Sequence, residues 1–132
     1  MPQATDIVLK NGAASPVDKT FTLYAPAAGD NSFANWRLKE GAISSVFPRI
    51  AMLARPTGKS ARKSIIKLQI PSSYTDTVTG LTKVGSAFDF EANVTVPDDF
   101  PESLKNDAVA FATNLMGHVL TKGVIRDGQP AT

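Results

Sequence analysis

Residues 61–71 read Ala-Arg-Lys-Ser-Ile-Ile-Lys-Leu-Gln-Ile-Pro, and the alternation within this run decides the fold. Successive side chains of a strand point to opposite faces. Ser64, Ile66, Leu68 and Ile70 therefore make a largely apolar face, while Lys63, Ile65, Lys67 and Gln69 make a face of cations and an amide. The β-branched residues favour a pleated strand, and Pro71 ends it by removing a ladder donor. The positive charge continues beyond this strand. Between residues 41 and 74 stand Arg49, Arg55, Lys59, Arg62, Lys63 and Lys67, with no Asp or Glu among them. One side of the strand suits a core, and the other suits something anionic.

Upstream of this strand the same period recurs. Ile7-Val8-Leu9 is a strand candidate followed by Asn11-Gly12, a dipeptide that tolerates positive φ. Lys19–Tyr24 places Phe21 and Leu23 on one face and Thr20, Thr22 and Tyr24 on the other, which completes an N-terminal hairpin with an irregular connection over Ala13–Asp18. Asn35–Lys39 alternates again, with Trp36 as a core anchor. From Phe47 to Arg55, Ile50, Met52 and Ala54 share one face, and Arg49, Ala51, Leu53 and Arg55 share the other. Pro56–Ser60 is a loop of turn formers.

Downstream, Ser72–Val84 is polar and lacks an apolar period, so it reads as the longest loop and the place for conformational variation. Ala87–Val96 is a clear strand, with Phe88, Phe90, Ala92, Val94 and Val96 opposing Ala87, Asp89, Glu91, Asn93 and Thr95. Asp98 or Asp99 then caps a helix that Pro101 enters near its first turn, with Glu102 where the helix dipole favours negative charge. Leu104, Ala108, Phe111, Leu115 and Val119 form its apolar stripe. Gly117 and Gly123 weaken its end, and Asp127–Pro130 reads as a terminus. Strands first and helix last indicate an α+β fold, a helix on an antiparallel sheet, in one domain spanning residues 1–132.

The totals exclude several classes of function. The chain has 132 residues, 42% apolar and 20% charged, which are values of a globular domain. A net charge of +2 says little by itself, but the cations lie in the middle while Asp98, Asp99, Glu102 and Asp107 cluster later. There is no cysteine, hence no disulfide, thiol catalysis or thiolate metal site. Met1–Asp6 has no basic start followed by an apolar run, so no signal peptide is expected. Apolar runs too short to span a bilayer predict a soluble protein without membrane contact. Gly58-Lys59-Ser60 ends like a phosphate-binding loop, but Leu53 stands where that motif needs a glycine and a strand follows where it needs a helix. His118 is the only histidine and has no metal-ligand partner at a useful spacing. Asp89 and Glu91 share a strand face, yet without a pocket signal they read as solvated strand acids and not as a catalytic pair. No cofactor, metal site or enzymatic activity is expected.

The run Ala61–Pro71, the polar loop after it, the strand ending Val94-Thr95-Val96-Pro97 and the helix beyond resemble the coat proteins of small single-stranded RNA bacteriophages, the levivirus-like family. The order of features matches from about Thr5 to Leu120. This resemblance implies an antiparallel sheet preceded by an N-terminal hairpin, with the C-terminal helix packing on the partner's sheet in a homodimer. It implies self-assembly into an icosahedral shell in the bacterial host cytoplasm, a place in the virion, and single-stranded genomic RNA on the inner sheet face. The residues it assigns to RNA are Arg49, Arg55, Lys59, Lys63, Lys67, Gln69, Glu91 and Asn93. Those it assigns to dimer and helix packing are Leu104, Ala108, Phe111 and Leu115. Ser72, Tyr74, Thr79 and Leu81 fall in the loop between dimers. Ala51, Leu53 and Ile65 stand where relatives carry small polar side chains, and Asp89 stands where they carry a base-stacking aromatic, so general RNA contact is implied without the familiar hairpin contacts. The rival expectation is a cellular RNA-binding regulatory protein that keeps the same basic face and remains a dimer.

Overall fold

Alternating sequence gives strands that can pair only where their apolar faces coincide, and the observed register brings them together. The computed structural model describes residues 2–58 and 60–132. It contains two compact units, residues 1–96 with all the strands and residues 97–132 with both α-helices. The strands are β1 (Ile7–Lys10), β2 (Asp18–Ala25), β3 (Ala34–Arg37), β4 (Arg49–Thr57), β5 (Ala61–Thr75) and β6 (Thr82–Pro97). They form one antiparallel sheet in the order β1-β2-β3-β4-β5-β6, so every connection joins neighbours and β6 lies at an edge. A single 3₁₀ turn, Ser44–Val46, precedes β4.

The core centres on Trp36. In the ladder it lies opposite Leu23 on one side and Ile50 on the other, and Ile50 in turn lies opposite Leu68. Phe21, Ala34, Trp36 and Ile50 are buried, with Ile7, Leu23, Leu38, Met52 and Leu68 packed against them. The indole is only 5% exposed. Its N–H donates to the Thr5 carbonyl at 2.7 Å. Asp6 accepts from the Leu23 amide at 2.8 Å, which further ties the leading segment to β2.

Two sequence boundaries move. β4 runs through Pro56 and Thr57, which pair with Arg62 and Ala61. Pro56 is tolerated there as part of a strand close to its turn, where a missing amide costs little, and Ser60 closes the turn with a left-handed φ of 52°. Ser72–Val84, expected as a long loop, is mostly strand. β5 continues to Thr75 and β6 begins at Thr82. Ser72 and Tyr74 are therefore strand residues, while Thr79 and Leu81 lie in the turn. A two-stranded extension that is wet on both faces needs no apolar period, and that is why the pattern failed to reveal it. The Ser72 hydroxyl donates to the Ser86 carbonyl. A Cβ at Gly85 would come within 2.8 Å of that hydroxyl, so glycine permits the close approach.

The turn is built on Asp76. Its carboxylate accepts from the amides of Val78 at 2.8 Å and Thr79 at 3.4 Å and pairs with Lys83 at 2.8 Å. Its backbone N–H donates to the Leu81 carbonyl, and Gly80, at φ 71°, donates to the Asp76 carbonyl. The Lys83 ammonium first, and then these amides, hold the Asp76 carboxyl below the usual carboxylate range. A depressed folded-state pKa contributes order above the unfolded value and loses it as pH falls through the lowered one. Exchange of the Val78 amide should therefore stay slow through mildly acidic pH and accelerate only below the ordinary Asp range. Asp76→Ala, which removes the acceptor, should give fast exchange at every pH, and equal protection in both proteins would exclude the carboxylate as the lock.

In the second unit, α1 spans Glu102–Met116 and α2 spans Val119–Asp127, bent by 50° at the break between them. The capping expectation is corrected. Pro101, at ψ 129°, is itself the N-cap and no side chain caps the helix. Asp98 and Asp99 precede it by too much to reach the first free amides. Glu102 instead pairs with Lys105 at 2.6 Å. The single expected helix is also divided, because Gly117 ends α1 and His118 caps α2, its Nδ1 accepting from the Leu120 amide at 3.2 Å. Val119 thus belongs to α2, which Gly128 closes in the left-handed region. No residue of either helix is buried.

Candidate nucleic-acid interface

In an antiparallel ladder, directly opposed residues share a face. The face opposite the Trp36 core is therefore read from the register. Arg37, Arg49 and Gln69 form one row across β3, β4 and β5, and Asn35, Ala51 and Lys67 form the next. Leu53 lies opposite Ile65, and Arg55 lies opposite Lys63. Like charges set directly across a ladder disfavour it. This face keeps such pairs at Arg37/Arg49 and at Arg55/Lys63.

These cations also take no part in the ion pairs that form elsewhere among the described residues. The ion pairs among the described residues are Lys10–Asp18, Lys19–Glu40, Arg62–Asp30, Lys83–Asp76 and Lys105–Glu102. None of them involves Arg37, Arg49, Arg55, Lys63 or Lys67. Arg62, one of the cations of the central stretch, lies opposite Pro56 on the other face and is bound to Asp30 at 2.5 Å. Arg62 and Lys63 are sequence neighbours, and alternation puts them on opposite faces of β5.

Arg49, Ala51, Lys67, Gln69, Asp89 and Glu91 line an open concavity of about 530 Å³, with Asn35 at its side. Of the RNA-assigned residues, Arg49, Lys67, Gln69 and Glu91 thus come together. Arg55 and Lys63 share the sheet face without lining the hollow. The Asn93 amide reaches Glu91 at 3.5 Å, and Lys59 lies outside the described residues. Sequence reasoning missed Arg37, which adds a cation to this face, and two aromatic contacts. The Arg37 guanidinium sits 3.9 Å over the Tyr24 ring, and the Lys67 ammonium sits 5.3 Å from the Phe33 ring centre. Tyr24 was on the polar side of β2 by alternation, which was the available signal.

Such a surface can hold phosphates through point charges and offers amides and carboxylates to base edges. Among the described residues no acidic or histidine cluster could hold a metal ion. Among the described residues no single helix is long and apolar enough to cross a membrane.

The family model for the levivirus coat protein matches residues 2–131. No curated protein matches the chain in sequence at a significant level. Among solved structures, the virus-like particle of bacteriophage NT-214 is 24% identical with a TM-score of 0.86, over 99% of this chain and 100% of that one. The virus-like particle of bacteriophage ESE058 is 20% identical with a TM-score of 0.81, over 99% and 100%. The bacteriophage GA protein capsid is 21% identical with a TM-score of 0.69, over 96% and 95%. At these identities the structural likeness carries the fold, a six-stranded antiparallel sheet followed by two helices. The family match runs nearly end to end and carries the kind of protein: the chain belongs to the levivirus coat protein family, as a structural capsid protein and not an enzyme.

Proposed function

We propose that the two units act as one coat-protein domain that dimerises, assembles into a closed icosahedral shell and binds single-stranded RNA on the cationic sheet face. The observation that carries the RNA reading is the set of cations, Arg37, Arg49, Arg55, Lys63 and Lys67, gathered on one face without acidic partners among the described residues. Phosphates would relieve the opposed like charges and release counterions. Gln69, Glu91 and Asn93 supply polar groups beside them, and Lys59 adds a further cation to this stretch of the sequence.

Dimerisation has its own support. β6 is an edge strand of 16 residues, Thr82–Pro97, and an unpaired edge of that length is a template for a second chain. Leu104, Phe111 and Leu115 are 50%, 74% and 62% exposed, and Phe88 and Val94 on β6 are exposed as well. Together with Ala108 these side chains form surfaces that a partner would bury. Between dimers, the β5–β6 extension offers Ser72 and Tyr74, and its turn offers Thr79, Leu81 and the fully presented Val78, 91% exposed. The virion is the expected location, after assembly in the bacterial host cytoplasm.

The test combines size with salt dependence. Purified protein should elute as megadalton particles or, once dissociated, as dimers, and a dimer that never assembles would favour a cellular regulatory RNA-binding protein. Lys63→Ala/Lys67→Ala dimers should bind unrelated RNAs more weakly by similar factors. The slope of log affinity against log salt should flatten by up to about 0.7 for each lost phosphate contact. Parent affinity and slope in this variant would reduce the face to a solvated side of the sheet.

A further inference from the structure

β2 carries an irregularity that neither the core nor the cation rows require. Leu23 pairs with Trp36, but Ala25 pairs with Asn35, so Tyr24 is the extra residue of a β-bulge. Bulges re-aim a side chain. Leu23 keeps to the core side, and the Tyr24 ring goes to the opposite face, where the Arg37 guanidinium lies 3.9 Å over it. Despite that contact Tyr24 is 63% exposed. Phe33, the other aromatic in contact with a cation on this face, is half-buried by comparison. Tyr24 is thus an aromatic plane held in solvent and fixed by the Arg37 guanidinium, with Arg49 directly opposite Arg37 on the next strand.

We propose that Tyr24, held by Arg37, is a stacking platform for an unpaired nucleobase of single-stranded RNA. This rests on the RNA reading of the cationic face and adds a base-contacting residue to it. Every nucleobase has a π-face that stacks on aromatic rings and guanidinium planes, so the contact tolerates sequence but requires an unstacked base. Arg37 and Arg49 are placed to hold the phosphates flanking that base. The division of labour is specific: lysines and arginines set the salt dependence, and Tyr24 sets the preference for unpaired bases.

The experiment measures affinity of the full-length protein, as dissociated dimers, for three ligands of equal length across a salt series. The ligands are a single-stranded RNA, an RNA duplex and an abasic phosphodiester strand. Tyr24→Ala should weaken single-stranded RNA about fivefold or more while leaving the duplex and the abasic strand nearly unchanged. Its salt slope should equal the parent's, because no phosphate contact is lost. Tyr24→Phe should retain parent affinity. Tyr24→Leu, which keeps an apolar side chain on the bulge without a π-face, should behave as Tyr24→Ala and guards against a general folding loss. Unchanged single-strand affinity in Tyr24→Ala and Tyr24→Leu, or equal losses for all three ligands, would overturn the platform and leave the cationic face standing. A parent protein that binds none of the three ligands would overturn both.

Discussion

Leu115→Asp should abolish particles and leave a folded chain that does not dimerise at micromolar concentration. Leu115 is 62% exposed in the single chain, so the substitution removes little that holds the chain itself together. In the proposed dimer the same position is covered, and an unpaired carboxylate buried there costs several kcal/mol. About 4 kcal/mol weakens association roughly a thousandfold. Asp near the C-terminal end of α1 also meets the negative end of the helix dipole. Asn114→Asp, which introduces the same charge one position away from the apolar stripe, separates that smaller effect from burial. Sedimentation of the two variants beside the parent decides the matter. Particles from Leu115→Asp at the parent's yield would show that the stripe Leu104–Ala108–Phe111–Leu115 is not an interface.

Trp36→Ala should be the most damaging single change within the sheet unit. The indole lies at the crossing of Leu23, Ile50 and the strands around them and is 5% exposed. Truncating a buried tryptophan typically costs about 3–5 kcal/mol through lost transfer energy and the cavity left behind. The N–H bond to the Thr5 carbonyl goes with it. Trp36→Phe keeps most of the ring and deletes that bond, which isolates a contribution of about 1 kcal/mol. Denaturant unfolding at fixed protein concentration should show a large fall in midpoint for the first variant and a small one for the second. A loss under about 1 kcal/mol for Trp36→Ala would place the centre of the core elsewhere.

Much of this molecule was legible because its sheet is amphipathic. Residues 61–71 sort their side chains by the period of two, and the ladder preserves that sorting across β3, β4 and β5. The strands around Trp36 and the shared face of Arg49, Arg55, Lys63 and Lys67 follow from it. Where both faces are wet, as beyond Ser72, no such period exists, and the sequence alone read a strand extension as loop. Local pattern also missed the break at Gly117–His118, because the apolar spacing continues across it while the backbone changes direction.

What the sequence by itself determined is therefore which residues lie on which side of a strand. Alternation is a property of one chain segment and needs no partner. Only the tertiary structure decided which cations are spent: Asp30 takes Arg62 from a distant loop, while Lys63 next to it keeps no acidic partner among the described residues. Likewise alternation assigns Tyr24 its face, but only the pairing of β2 with β3 set the bulge at Tyr24 and brought the Arg37 guanidinium over its ring, since a bulge is a mismatch between two strands and is written in neither of them alone.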